Sequence, residues 1–361
     1  MENPLLALHT LGQRVWLDNL SRTLLEDGTL ARLIAEDGLA GVTSNPTIFF
    51  KAISESPHYR EELAALKRDA TVTPERRYEA LAVRDIQRAC DLFHPLYLRT
   101  DGEDGYVSLE VSPALAHDAT GTVAAGLRLK AEVNRPNLLI KVPATKAGLT
   151  AIEQLIGQGC SVNVTLMFSL DHVRDVSRAY MRGIEQWTAR SDADPRPIKS
   201  VASLFLSRVD TLVDKKLDAI GGDALTLKGH AGVALAKLAY EEYRQVVGGP
   251  LFAPLAAKGA RRQYMLWAST GTKNPAYSDV MYVEPLIGPD TINTLPDATL
   301  AAFRDHGRAA ATLTQGLDRA RQVFADLARH GILMGEVGNE LQTQGVALFQ
   351  DSFDELLKLV R

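Results

Sequence analysis

Cysteine is scarce. Cys90 and Cys160 are the only two in 361 residues, and neither stands in a CxxC or any other Cys/His ligand spacing. Neither a disulfide framework nor a zinc framework can organise such a chain, and its cysteine usage fits a reducing cytosol. An excess of positive charge is lacking too. Lys and Arg number 40 against 44 Asp and Glu, a formal net charge of -4, so the overall balance gives no purchase to nucleic acid or an anionic membrane. No apolar run approaches the roughly 18 residues of a membrane span. The opening MENPLLALHTLGQRVWLDNL has no basic segment leading into a long apolar core. The expectation is a soluble cytoplasmic protein that binds neither nucleic acid nor membrane. Repeats, low-complexity tracts and long linkers are also missing, which leaves one domain over 1–361 as the simplest division.

What the chain does have is alternation. Strand-length runs that are β-branched, aromatic or continuously apolar occur at 14–19, 40–45, 105–111, 137–144, 160–168, 198–206, 262–270 and 279–287. Such runs suit parallel strands buried on both faces. Helical patterns lie between them, among them 74–93, 145–159, 169–187 and 230–247, and the chain beyond 300 is wholly helical in pattern. Eight strands alternating with helices predict an α/β fold, a (β/α)8 TIM barrel. The surplus over such a barrel falls in an insertion at 46–104 and in C-terminal helices at about 300–361, packing on or over the barrel. An open doubly wound sheet is the alternative, but no GxGxxG follows the first strand.

Barrel active sites gather at the carboxyl ends of the strands, and here those ends are polar. Asp18 and Asn19 close the first; Thr43, Ser44 and Asn45 the second; Glu110 the third; Lys141 the fourth. Asn163 and Thr165 alternate along the fifth and so share a face. Ser203 lies on the sixth with Arg208 shortly after, and Ser269, Thr270, Thr272 and Lys273 follow the seventh. Each residue alone also has a structural explanation. Asp18 and Asn45 suit helix caps or turns, Asn163 and Thr165 can satisfy one another, Arg208 and Lys273 suit solvated surface, and Lys141 can snorkel or pair with Glu110 or Asp18. One pocket explains the set more economically.

The chemistry that unites them is amine catalysis. An ammonium amid Leu138, Leu139, Ile140, Val142 and Pro143 is disfavoured by burial, and a free amine there can attack a ketone to form a Schiff base. Asp18 and Glu110 supply carboxylates to move protons, with Thr165 available to orient a water. No metal or other cofactor is needed in this scheme.

These residues lie in segments that resemble the transaldolase family. The resemblance runs from WLDNLSR (16–22) through GVTSNPTIF (41–49), VSLEVSP (107–113), LLIKVPAT (138–145) and VNVTLMFS (162–169), in the family's order, to the strand-eight region. It implies a pentose phosphate pathway transferase that moves a dihydroxyacetone unit from sedoheptulose 7-phosphate to glyceraldehyde 3-phosphate, giving erythrose 4-phosphate and fructose 6-phosphate. By the same resemblance Lys141 is the Schiff-base lysine, and Asp18 is the acid/base for the carbon–carbon bond. Glu110 and Thr165 would hold the catalytic water. Thr43, Asn45, Asn163, Ser203 and Phe205 would contact substrate, and Arg208 would bind its phosphate. Where familiar members carry a second phosphate-binding arginine, this chain reads WASTGTKNPAYSD, as in a longer bacterial branch. Lys273 and Ser269 are the candidates there. The expected partners are therefore sugar phosphates, and the expected assembly is a monomer or homodimer. Related aldolases carry a tyrosine at the Phe205 position and a glutamine at the Glu110 position, so this pair favours transfer over simple aldol release. A fructose-6-phosphate aldolase and a catalytically silent barrel are the alternatives. Phe349 and Phe353, at i and i+4 in the last helix, suit either core packing or a lid over the barrel mouth.

Overall fold

The computed structural model describes residues 3–190 and 193–361. Eight parallel strands close into a barrel in chain order: β1 (Gln13–Leu17), β2 (Gly41–Val42), β3 (Tyr106–Glu110), β4 (Leu138–Pro143), β5 (Val162–Met167), β6 (Ser200–Phe205), β7 (Tyr264–Ala268) and β8 (Thr291–Leu295). Ladder pairing of β1 with β8 completes the closure. The continuously apolar runs form these strands because barrel side chains on one face fill the interior and on the other meet the helices. All six residues of β4 and all six of β5 are buried. At β2 a glycine is required by crowding: a Cβ on Gly41 would come within 2.6 Å of both the Trp16 ring and the Tyr106 carbonyl oxygen. Beyond Thr43, whose amide makes the last bond to β1, the chain leaves the ladder and turns into a helix at Pro46.

Seven strands fall where the hydrophobic runs predict. The eighth does not. Residues 279–287 form turns and a single 3-10 turn, Glu284–Leu286, and the strand is Thr291–Leu295. Between β7 and β8 this irregular segment stands where other connections carry a helix, and it buries Val280, Tyr282, Val283, Leu286 and Ile287. Its exposed backbone groups need partners, and the outward faces of β1, β7 and β8 provide them. Asn293 Nδ2 donates to the Tyr282 carbonyl at 2.9 Å, Gln13 Nε2 to Leu286 at 2.7 Å, and Trp267 Nε1 to Leu286 at 3.1 Å. The plug is apolar and reads as a strand. The strand it covers is polar and does not.

The insertion between β2 and β3 is helical, with Pro46–Glu55, Arg60–Arg68 and Pro74–Arg99. A buried network fixes it to the start of the chain. Arg22 Nε donates to Asp85 Oδ1 at 2.9 Å, Tyr59 Oη donates to Asp85 Oδ2 at 2.6 Å, and the same hydroxyl accepts from the Arg22 backbone. After β8 come helices Asp297–His306, Leu317–Arg329 and the long C-terminal helix Met334–Val360. The last of these returns to the barrel mouth. Thr47 Oγ1 donates to Ser352 Oγ at 2.8 Å, and Phe353 meets Tyr78 edge-on at 5.6 Å. Among the described residues no helix is long and apolar enough to cross a membrane.

Candidate active site

Strand register sets the centre of the site. Glu110 on β3 pairs with Lys141 on β4, which pairs with Asn163 on β5, and Pro143 pairs with Thr165 one layer higher. Glu110, Lys141 and Asn163 therefore stand in one row at the barrel's carboxyl end. Across the barrel, Asp18 and Thr43 are the first residues past β1 and β2. Their amides continue the ladder, to Leu295 at 2.8 Å and to Leu17 at 2.9 Å.

Lys141 is only 4% exposed. Its Nζ donates to the Ser44 carbonyl at 3.1 Å, and lies 3.3 Å from Glu110 Oε2 and 6.0 Å from the Phe349 ring centre. The contact with Glu110 is an ion-pair distance without hydrogen-bond alignment, and Glu110 Oε2 has no hydrogen-bond partner in the protein. Burial raises the Glu110 pKa to about 7, against the pull of Lys141. Burial likewise raises Asp18 above the usual carboxylate range, with Lys141 and the 2.7 Å hydrogen bond from Thr43 Oγ1 opposing it. Thr294 on β8 lies 2.8 Å from the Thr43 hydroxyl; with Thr43 donating to Asp18, Thr294 is the donor to Thr43. The two carboxylates thus flank one lysine, each held above its usual range by burial.

A cavity of about 300 Å³ opens over this centre. Of the residues read from sequence, Asp18, Thr43, Asn45, Lys141, Thr165, Ser203, Phe205, Arg208, Ser269 and Lys273 all line it. Two do not. Glu110 stands level with Lys141 in the strand row, outside the lining. Asn163 is wholly buried, and its amide is committed to the protein: Nδ2 donates to Ser108 Oγ at 3.0 Å, and Oδ1 accepts from Ser203 Oγ at 2.7 Å. Asn45 is the helix cap that its structural reading foresees, and it borders the cavity. Its Oδ1 caps the helix at Pro46 by accepting from Ile48 N at 2.9 Å.

Arg208 sits at the cavity wall, its guanidinium carbon 5.6 Å from the Phe205 ring centre and 5.8 Å from that of Phe349. Its Nη1 is buried without a partner, as is the Thr165 hydroxyl. A buried donor left unpaired is costly, and both groups are free to bond whatever enters the cavity. Burial pulls the Arg208 pKa down, and Asp18 and Glu110 push it back up. Ser269 adopts φ +54°, a strained value for a non-glycine residue, and shares a 2.8 Å hydrogen bond with Ser207 at the start of the helix that bears Arg208. Lys273 is exposed at the rim. Among the described residues no group of three or more His, Cys, Asp or Glu is placed to hold a metal ion.

Thr294 is hidden in the sequence because the apolar run at 279–287 stands in the pattern where β8 is expected, and only TINTL read as a strand exposes it. Thr47 and Ile48, on the first turn of the capped helix, also face the cavity. Phe349 does as well, so the C-terminal helix is a wall of the site, while Phe353 is buried against Tyr78.

The sequence profile described as Transaldolase/Fructose-6-phosphate aldolase matches residues 15–360. A transaldolase of Thiobacillus denitrificans is 56% identical over 348 residues, 96% of each chain. One from Neisseria gonorrhoeae is 48% identical over 347 residues, again 96% of each. Transaldolase 1 of Streptomyces coelicolor is 46% identical over 351 residues, covering 97% of this chain and 92% of that one.

Proposed function

The chain belongs to the transaldolase/fructose-6-phosphate aldolase family and is a transferase of the transaldolase kind, and on that premise we propose that it works through a Schiff base on Lys141. The observation that carries this reading is the buried amine 3.3 Å from a carboxyl group, beneath a cavity that Asp18 and Arg208 also enter. The donor is sedoheptulose 7-phosphate and the acceptor glyceraldehyde 3-phosphate. Lys141 Nζ adds to the donor's ketone carbon, and the oxygen takes up a proton. Loss of that oxygen as water leaves the iminium, with Glu110 and the Thr165 hydroxyl holding the water through which protons move. Asp18 then removes the proton from the hydroxyl beyond the adjacent carbon. The carbon–carbon bond breaks, its electron pair enters the iminium to give an enamine, and erythrose 4-phosphate departs. The enamine carbon attacks the acceptor aldehyde, Asp18 returns the proton to the new alkoxide, and hydrolysis of the iminium frees fructose 6-phosphate and Lys141.

Arg208 suits the phosphate because its fork binds two oxygens and its Nη1 is otherwise unpartnered. Lys273 and Ser269, on the loop after β7 beside the Arg208 helix, extend that phosphate site. Asn45, Thr43 and Ser203 face the sugar hydroxyls, and Asn163 acts through Ser203. Free, fully buried cysteines support the cytosol as the compartment.

Phe205 offers no hydroxyl to protonate the enamine, and Arg208 and Phe168 pack against its ring. The enamine should therefore wait for the acceptor. With fructose 6-phosphate alone, release of free dihydroxyacetone is expected to be at least about a hundredfold slower than transfer to added erythrose 4-phosphate. Comparable rates would replace transferase with aldolase.

A further inference from the structure

Leu166 has a backbone conformation foreign to strands. Its φ is +59°, within β5, where non-glycine residues enter the left-handed region only when the surroundings impose it. The β5–β6 register explains the need. It jumps from Val164 opposite Ala202 to Met167 opposite Leu204, so Thr165 and Leu166 together face Ser203. This is a β-bulge, and bulges re-aim a side chain at the price of local strain. The first residue of the bulge is Thr165, whose buried, unpartnered hydroxyl lines the cavity with Lys141.

The bulge is gripped from outside the barrel. Gln342, on the C-terminal helix, donates from Nε2 to the Leu166 carbonyl at 3.2 Å and to the Ala144 carbonyl at 2.9 Å. Ala144 in turn donates its amide to the Thr165 carbonyl at 2.8 Å. Both hydrogens of one side-chain amide thus close a ring around the Thr165 backbone, joining the strand end of Lys141 to that of Thr165. Two glycines let the helix come this near. A Cβ on Gly338 would lie 2.6 Å from Ser169 Cβ, and one on Gly345 would lie 3.0 Å from the Leu166 side chain.

We infer that Gln342 is a positioning residue: its amide holds the β5 bulge in the conformation that sets the Thr165 hydroxyl beside the Lys141–Glu110 pair. The inference rests on the Schiff-base reading above. Gln342→Met keeps the length and packing of the side chain and removes both donors. It is expected to lower kcat about 10-fold, since small misplacements of a reacting group carry losses of that size or more. The rate at which borohydride-trappable adduct accumulates on Lys141 with fructose 6-phosphate should fall by the same factor. KM should change less than about twofold. Gln344→Met, the same replacement on the exposed face, where Gln344 bonds only Glu340, should leave both rates unchanged. In a Thr165→Val background, Gln342→Met should have no further effect on either rate, because the two residues act as one unit. Gln342→Asn, which withdraws the amide by one methylene, should also slow adduct formation and serves if the methionine variant fails to fold. Wild-type rates in Gln342→Met, or an equal loss in both backgrounds, would overturn the inference while the Schiff base stands. Absence of any adduct on Lys141 in the unaltered enzyme would instead remove the reading beneath it.

Discussion

Replacing Lys141 by methionine is expected to lower kcat/KM for the sugar-phosphate donor by about 10⁴-fold or more, with the fold retained. The other lysine of the cavity, Lys273, stands exposed at the rim, and loss of a nucleophile typically costs on this scale. Methionine is one atom shorter and uncharged, and the site around it is buried and flanked by the Phe349 ring. The fold should tolerate the change because Glu110, already pushed up to about 7, can take a proton and become neutral when its partner is removed. Thermal unfolding should therefore remain cooperative while transfer of dihydroxyacetone disappears. Lys146, one helical turn beyond and exposed, supplies the control: Lys146→Met should keep the activity of the unaltered enzyme. Activity within tenfold of normal in Lys141→Met would contradict the mechanism.

Glu110→Gln is expected to lower kcat/KM by about 10²- to 10⁴-fold, the usual yield of a positioned acid/base. It should also change the pH dependence, in a direction that follows from the raised pKa. Below that pKa Glu110 holds its proton and cannot accept another. As pH rises through about 7, Glu110 loses its proton and can then accept one from the amine through a bridging water, leaving a nucleophile. The ratio of wild-type to Glu110→Gln activity should therefore increase with pH across this range. Taking the ratio cancels ionisation of the substrate phosphate, whose second pKa is near 6. A ratio independent of pH between about 5.5 and 8 would deny Glu110 its part in moving the proton.

Much of this architecture is visible in the sequence because barrel strands are buried on both faces and helices on one, which produces two distinct patterns of apolar residues. The pattern misleads where that division of labour fails. Around β8 an irregular segment replaces the helix, so the apolar run and the strand exchange their usual appearances, and Thr294 goes unseen. Charges inside strands are ambiguous for a different reason. Lys199 is as deeply buried as Lys141, but it sits at the opposite end of the barrel, before β6. There Glu103 lies 2.8 Å from its Nζ, the Tyr264 ring centre lies 3.8 Å away, and Arg261 closes the network. That lysine is fully engaged, whereas Lys141 faces a cavity. Strand position separates the two even before structure, since one falls at the amino end and the other near the carboxyl end. Asn163 marks the limit of face-sharing arguments. It shares a strand face with Thr165, yet Ser108 and Ser203 use both ends of its amide. Gln342 carries no local signal at all. Its role arises from a bulge 176 residues away in the chain, and only the packed structure brings them together.

The central claim is that Lys141 bonds covalently to the substrate. Borohydride reduction in the presence of fructose 6-phosphate, followed by peptide mapping, tests it directly. The expected result is a stoichiometric adduct on the peptide containing Lys141 and loss of activity in proportion. An adduct on another lysine, such as Lys146 or Lys273, or activity that survives reduction with substrate, would contradict it.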